Sequence, residues 1–111
     1  MTLSEVSFKQ LSELAERVAR RYFLARKIAQ LRTENLLSNQ IEQTSNLACQ
    51  IYLTKVISAF ESLNERDRSI INNEFFFQGY DGWWKSIYST SSFYRYKKQA
   101  MLRFLEVFYR V

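Results

Sequence analysis

A chain of 111 residues, 47% hydrophobic and 16% aromatic, is the size of one domain and has enough apolar surface to build a core without metal or disulfide support. With no proline and only two glycines it has too few turn formers for a sandwich, a barrel or a doubly wound sheet, so the expected class is all-α. No histidine and a single cysteine exclude zinc fingers, disulfide frameworks and histidine acid–base chemistry, and a net charge of +5 favours polyanionic partners without establishing one.

That charge is segregated. Residues 1–32 carry seven basic and three acidic side chains and residues 81–111 carry six and two, whereas residues 33–80 carry three and six. Two basic ends therefore flank an acidic middle. The opening MTLSEVSFKQ shows no basic stretch followed by an apolar run, and no segment approaches the ~18 uncharged apolar residues of a membrane span. The expectation is a cytoplasmic, soluble protein with no membrane partner.

In chain order, Thr2 and Glu5 stand at capping-box spacing, and Leu3, Val6, Leu14, Val18, Tyr22, Ala25 and Ala29 recur near the helical period, predicting a first helix from about Leu3 to Leu31. Thr33 and Asn35 interrupt it. A second long helix follows on the stripe Leu37, Ile41, Ala48, Ile51, Val56, Phe60 and Leu63, with a candidate break over Thr44–Asn46. Asn64, with Asp67 three residues on, caps a third helix that ends in Phe75, Phe76 and Phe77 ahead of a stop at Gly79. Asp81 caps a short fourth helix, Gly82–Tyr88, carrying Trp83, Trp84 and Ile87; the hydroxyl run Ser89-Thr90-Ser91-Ser92 then opens a fifth that reaches about Phe108. Without repeats or linkers, residues 1–111 read as one domain of about five helices, with 1–62 an N-terminal helical part and 63–111 a C-terminal part.

The C-terminal part has a recognisable pattern. Glu65-Arg66-Asp67-Arg68 with Ile70-Ile71 opens a helix after Leu63-Asn64, and Ser89-Thr90-Ser91-Ser92-Phe93-Tyr94-Arg95, then Lys98 and Ala100, follow after a short helix and a turn. This resembles the C-terminal, promoter-reading domain of bacterial sigma factors and is similar to the small ArpU-like phage and Firmicute regulators built on it, over about Val56 to Phe108, roughly half the chain. The resemblance implies a sigma-like helix-turn-helix whose last helix enters the major groove of double-stranded DNA while the helix before it braces the backbone. It also implies a role in transcription regulation, with RNA polymerase as a further partner.

The residues themselves can be set against that geometry. On a helix from Ser91, the side chains of Phe93, Ala100, Phe104, Val107 and Phe108 face a core, and Ser91, Arg95, Lys98 and Leu102 lie opposite, flanked by Tyr94 and Gln99. Arginine pairs bidentately with guanine, glutamine with adenine, and serine, tyrosine and lysine with phosphates. The candidate DNA-contacting set is Ser91, Ser92, Tyr94, Arg95, Lys98 and Gln99, with Lys85 from the preceding segment. Three features depart from the family pattern: Lys97 falls on the core-facing side, the turn from Ile87 to Ser91 lacks a glycine, and the outer face ends in Leu102.

Arg17, Arg20, Arg21 and Lys27, beside Arg26, are candidates for secondary phosphate contacts, although Glu13 and Glu16 stand nearby for pairing along the helix. Of Trp83 and Trp84, one ring is expected to anchor the core and the other to cover a helix edge; Phe75, Phe76 and Phe77 cannot all point inward, so one is left for a contact patch. Cys49 reads as an inert core thiol, and Glu65, Asp67 and Glu74 as capping and ion-pairing groups on an exposed ERDR surface. No nucleophile–base pair, phosphate loop or ligand set is visible, so no enzyme activity, cofactor or metal is expected. The alternative to a DNA-binding protein is an interaction module that uses the acidic middle and the phenylalanine cluster, and a homodimer is one assembly the long first helices could form.

Overall fold

The structure, a computed structural model, describes the backbone of residues 5–33, 39–77 and 79–110 and, within these, the side chains of all but 32–33 and 39–46. Thr2, Leu3, Asn35, Leu37 and the side chain of Ile41 lie outside the described residues. Among the described residues four α-helices form: α1 (Phe8–Thr33), α2 (Asn39–Glu61), α3 (Glu65–Ile71) and α4 (Thr90–Tyr109). The class is all-α, with no strand among the described residues.

The first helix starts later than the Thr2–Glu5 spacing predicts, because a second capping box lies five residues on. The Gln10 amide N–H donates to Ser7 Oγ at 3.2 Å and the Ser7 N–H donates back to Gln10 Oε1 at 3.1 Å, so the two groups satisfy each other at the start of α1. Leu11, Ala15, Val18, Ala19 and Ala25 are the buried positions of α1, with Val6, Leu14 and Tyr22 packed at the margin. The second helix runs unbroken through 44–46. Its inward residues are Tyr52, Val56, Ala59 and Phe60, with Leu63 buried just beyond its end, whereas Ala48 and Ile51 of the expected stripe are exposed. Cys49 is only half-buried, which corrects its reading as a core thiol.

The Asn64 side chain caps α3 by accepting the Asp67 N–H at 2.8 Å. The helix ends at Ile71 and the chain continues through a wider turn, Asn72–Phe76, in which the Phe77 N–H reaches back five residues to the Asn72 carbonyl at 2.8 Å. That turn sends the three aromatics in different directions: Phe75 is buried, Phe76 is half-buried and Phe77 is exposed.

The fourth helix expected over Gly82–Tyr88 does not form. Gly82 adopts φ +76°, outside the right-handed helical region. Trp83, Lys85 and Ile87 then donate their N–H groups only three residues back, to Tyr80, Gly82 and Trp84, at 3.1, 3.0 and 2.9 Å. Tertiary anchors hold this path. The Trp84 ring lies flat on Phe93 at 4.2 Å, and Trp83 Nε1 donates to Glu74 Oε2 at 2.9 Å.

The chain re-enters a helix at Ser89, whose Oγ accepts the Ser92 N–H at 3.2 Å. Phe93, Ala100, Phe104 and Phe108 of α4 are buried as expected, and Val107 is half-buried. Met101 and Leu105 are buried as well, because α4 packs against α1, α2 and α3 and needs an apolar sector wider than one stripe. Buried residues of all four helices, from Leu11 to Phe108, join in one cluster.

Candidate nucleic-acid interface

α4 is anchored from three sides, so whatever its outer side carries is held on a rigid element. Ser91, Tyr94, Arg95 and Lys98 are exposed there. No carboxylate stands within 4.0 Å of Arg95 or Lys98 among the described residues, leaving both cations available to an external anion. The first turn of α4 carries no acidic residue, only hydroxyls, whereas α3 has Glu65 and Asp67 in its first turn. An unneutralised helix start suits phosphate.

The other expected residues occupy different settings. Ser92 is half-buried and its amide is used by the Ser89 cap. Gln99 is half-buried and accepts from Arg66 Nη2 at 3.5 Å, which turns part of its hydrogen-bonding capacity inward. Leu102 is packed on the core margin instead of closing the outer face. Tyr94 is partly exposed and sets its ring edge-on to Phe8 and Trp84 at 5.8 and 6.0 Å. Lys85 is exposed and arches over Gly82, where an added Cβ would meet Lys85 Cδ at 3.0 Å. It shares with Tyr94, Asn73, Tyr80 and Asp81 the lining of an open cavity of about 380 Å³.

Two carboxylates, Asp67 and Glu74, hold the face in place through three ion pairs among the described residues. Asp67, expected on an exposed surface, is 0% exposed and accepts from Arg103 Nη1 at 2.6 Å and Arg66 Nε at 3.4 Å, tying α3 to α4. Lys97 resolves its core-side position by donating to Glu74 Oε1 at 2.7 Å, with its ammonium 5.4 Å from the Phe75 ring centre and 5.6 Å from that of Phe8. Glu74 also receives the Trp83 indole N–H, so one carboxylate joins the wide turn, the turn segment and α4. With Asp67 and Glu74 spent internally, the acidic middle presents less negative surface than its composition suggests.

Arg66 is the site residue that the sequence hides. Its guanidinium lies 4.1 Å from the Tyr96 ring centre and that of Arg95 lies 5.2 Å from the same ring, so a cation from α3 and one from α4 converge on a single aromatic. Only the tertiary pairing of α3 with α4 brings them together.

Arg17, Arg20, Arg21 and Lys27 are all exposed, but they share no hydrogen bond, ion pair, ring contact or cavity with the outer residues of α4 among the described residues. Arg20 faces Glu16 at 3.7 Å, and Arg21 sits 5.7 Å from the Tyr52 ring centre, which itself packs on Phe108. Phe108 is 17 residues from Ser91 along α4, about 25 Å by the rise of an α-helix. The Tyr52 phenol donates to the Val18 carbonyl at 3.1 Å, and burial pushes its pKa above the ordinary 10.0, with Arg21 opposing and Tyr109 adding to the rise.

The fold and this face define an all-helical protein that presents hydroxyl, aromatic and cationic groups from a helix packed against the other three. Comparison with models of known families, with curated proteins and with solved structures finds no match to the chain. Among the described residues, no helix is long and apolar enough to cross a membrane, and no group of three metal-ligating side chains comes together.

Proposed function

We propose that the protein binds double-stranded DNA by placing the outer face of α4 in the major groove, with α3 bracing the backbone, and that it acts in transcription regulation. The observation that carries this reading is the exposure of Arg95 and Lys98, without carboxylate partners among the described residues, on a helix pinned to α3 through Asp67 and to the preceding wide turn through Glu74. A groove-reading helix needs this combination of free outer cations and a fixed inner side, because side chains must meet base edges in one register. Arg95 supplies a fork suited to guanine, while Ser91, Tyr94, Lys98 and Lys85 suit phosphates. Arg66, converging with Arg95 on Tyr96, belongs to the brace. The regulatory role and a contact with RNA polymerase rest on the likeness of Glu65–Arg68 and Ser89–Lys98 to sigma-factor residues.

Fluorescence anisotropy on labelled duplexes tests the proposal. Binding at low ionic strength that weakens steeply with salt, with a log–log slope of about −0.9 for each phosphate neutralised, is the expected result. A protein that binds neither a mixed-sequence duplex nor any duplex selected from a random pool does not have this function.

A further inference from the structure

Away from α4, Phe76 is the ridge between two shallow cavities. Its ring is held from below by Tyr22, Phe60 and Phe104 at 5.4, 6.3 and 6.0 Å. The cavity on one side, about 290 Å³, is walled by Ile57 and Phe77 with Arg68 at its edge. The cavity on the other, about 450 Å³, is walled by Phe23 and edged by Arg20. Phe77 is 65% exposed, Ile57 44% and Phe23 39%. Three large apolar side chains, from α1, from α2 and from the end of the wide turn, thus stand in water around one groove, a concentration that scattered surface hydrophobics do not produce. Phe77, whose N–H closes the wide turn on the Asn72 carbonyl, stands outward.

The rim is cationic. Arg26 lies 5.7 Å from the Tyr22 ring centre, and Lys27 lines a cavity that begins at Phe23. Arg26, Lys27 and Arg68 have no carboxylate within 4.0 Å among the described residues, and of the two acidic groups at the edge, Glu16 already faces Arg20, leaving Glu61. Apolar floor and basic rim together call for an occupant with an apolar stripe bordered by carboxylates.

We infer that this groove docks one amphipathic, acid-flanked helix of a partner protein. Apolar residues a turn or two apart on that helix enter the two cavities on either side of Phe76, and its carboxylates reach Arg26, Lys27 and Arg68. No α4 residue lines either cavity, so the site can be filled while α4 is on DNA. The inference does not depend on the DNA reading.

The full chain is titrated with a labelled synthetic helix of about four turns that carries a leucine stripe bordered by glutamates, and separately with a peptide of the same composition in scrambled order and with a lysine-bordered version. Binding of the acidic amphipathic peptide alone is expected, weakened about tenfold or more by Phe77→Ser and by Ile57→Asp and also by Arg68→Glu. Both apolar positions are solvent-facing, so thermal melting should show the variants folded. Three results would each overturn the inference: equal binding of all peptides, no loss with either apolar variant, or self-association in the parent chain that Phe77→Ser abolishes, which would make a second copy the occupant. Binding to anionic vesicles that Phe77→Ser removes, without peptide binding, would assign the groove to a membrane surface instead.

Discussion

Arg95 and Arg21 are both exposed cations stacked near a tyrosine ring, yet their surroundings give them different expected roles. Arg95 stands on the outer side of α4 between Ser91 and Lys98, so Arg95→Ala should leave packing unchanged. It should cost about 1–3 kcal/mol on a preferred duplex while relaxing base preference there. Arg21→Ala, near the opposite end of α4, should weaken all sequences alike. Titrating both variants against a selected duplex and a scrambled one separates the two: equal losses for Arg95→Ala on both would reduce Arg95 to a phosphate contact. Tyr52 supplies a pH prediction. A raised phenol pKa means that its stabilising contribution is fully present below pH 10.0 and is lost as pH climbs through the folded-state value. Tyr52→Phe should cost about 1 kcal/mol at neutral pH through loss of the bond to Val18, and should lessen the alkaline fall measured by urea melts across that range. An identical alkaline fall in both proteins would refute the assignment.

At the scale of elements, α4 is the hub, and its start decides where its outer face points. Four consecutive hydroxyl residues could each have capped it, and the structure selects Ser89. Ser89→Ala should therefore destabilise by about 1 kcal/mol, whereas Ser91→Ala, an exposed position inside the first turn, should change stability by only a few tenths. Chemical denaturation of the two variants checks this; a reversed order would shift the register of α4 and with it the proposed DNA face. The turn segment before α4 has a comparable dependence on one position. Its Gly82 sits at φ +76°, so any side chain there adds backbone strain, whereas its nearest neighbour, the flexible end of Lys85, can move aside.

For the whole molecule, α1 supplies Leu11, Ala15, Val18 and Ala19 to the same cluster that contains Phe104 and Leu105 of α4. Deleting residues 1–32 should expose that apolar surface and abolish cooperative thermal unfolding of the remainder, followed by circular dichroism and light scattering. A truncated chain that stays monomeric and equally heat-resistant would show α1 to be an appendage. The all-α class, the cap at Asn64, a hydroxyl cap somewhere in Ser89–Ser92, and the inward side of α4 at Phe93, Ala100, Phe104 and Phe108 were legible in the amino-acid sequence. Each depends on neighbours within a turn or two, where composition, capping chemistry and periodicity operate. Tertiary structure decided the rest. Lys97 and Arg103 are satisfied by carboxylates 23 and 36 residues away, Trp84 abandons a helix to lie on Phe93, and Arg66 meets Arg95 across Tyr96. The directions of Phe75, Phe76 and Phe77, and so the groove around Phe76, likewise follow from a wide turn that no local period announces. Such choices are set by which helices pack together, because a buried charge or ring takes whichever partner the assembled core places beside it.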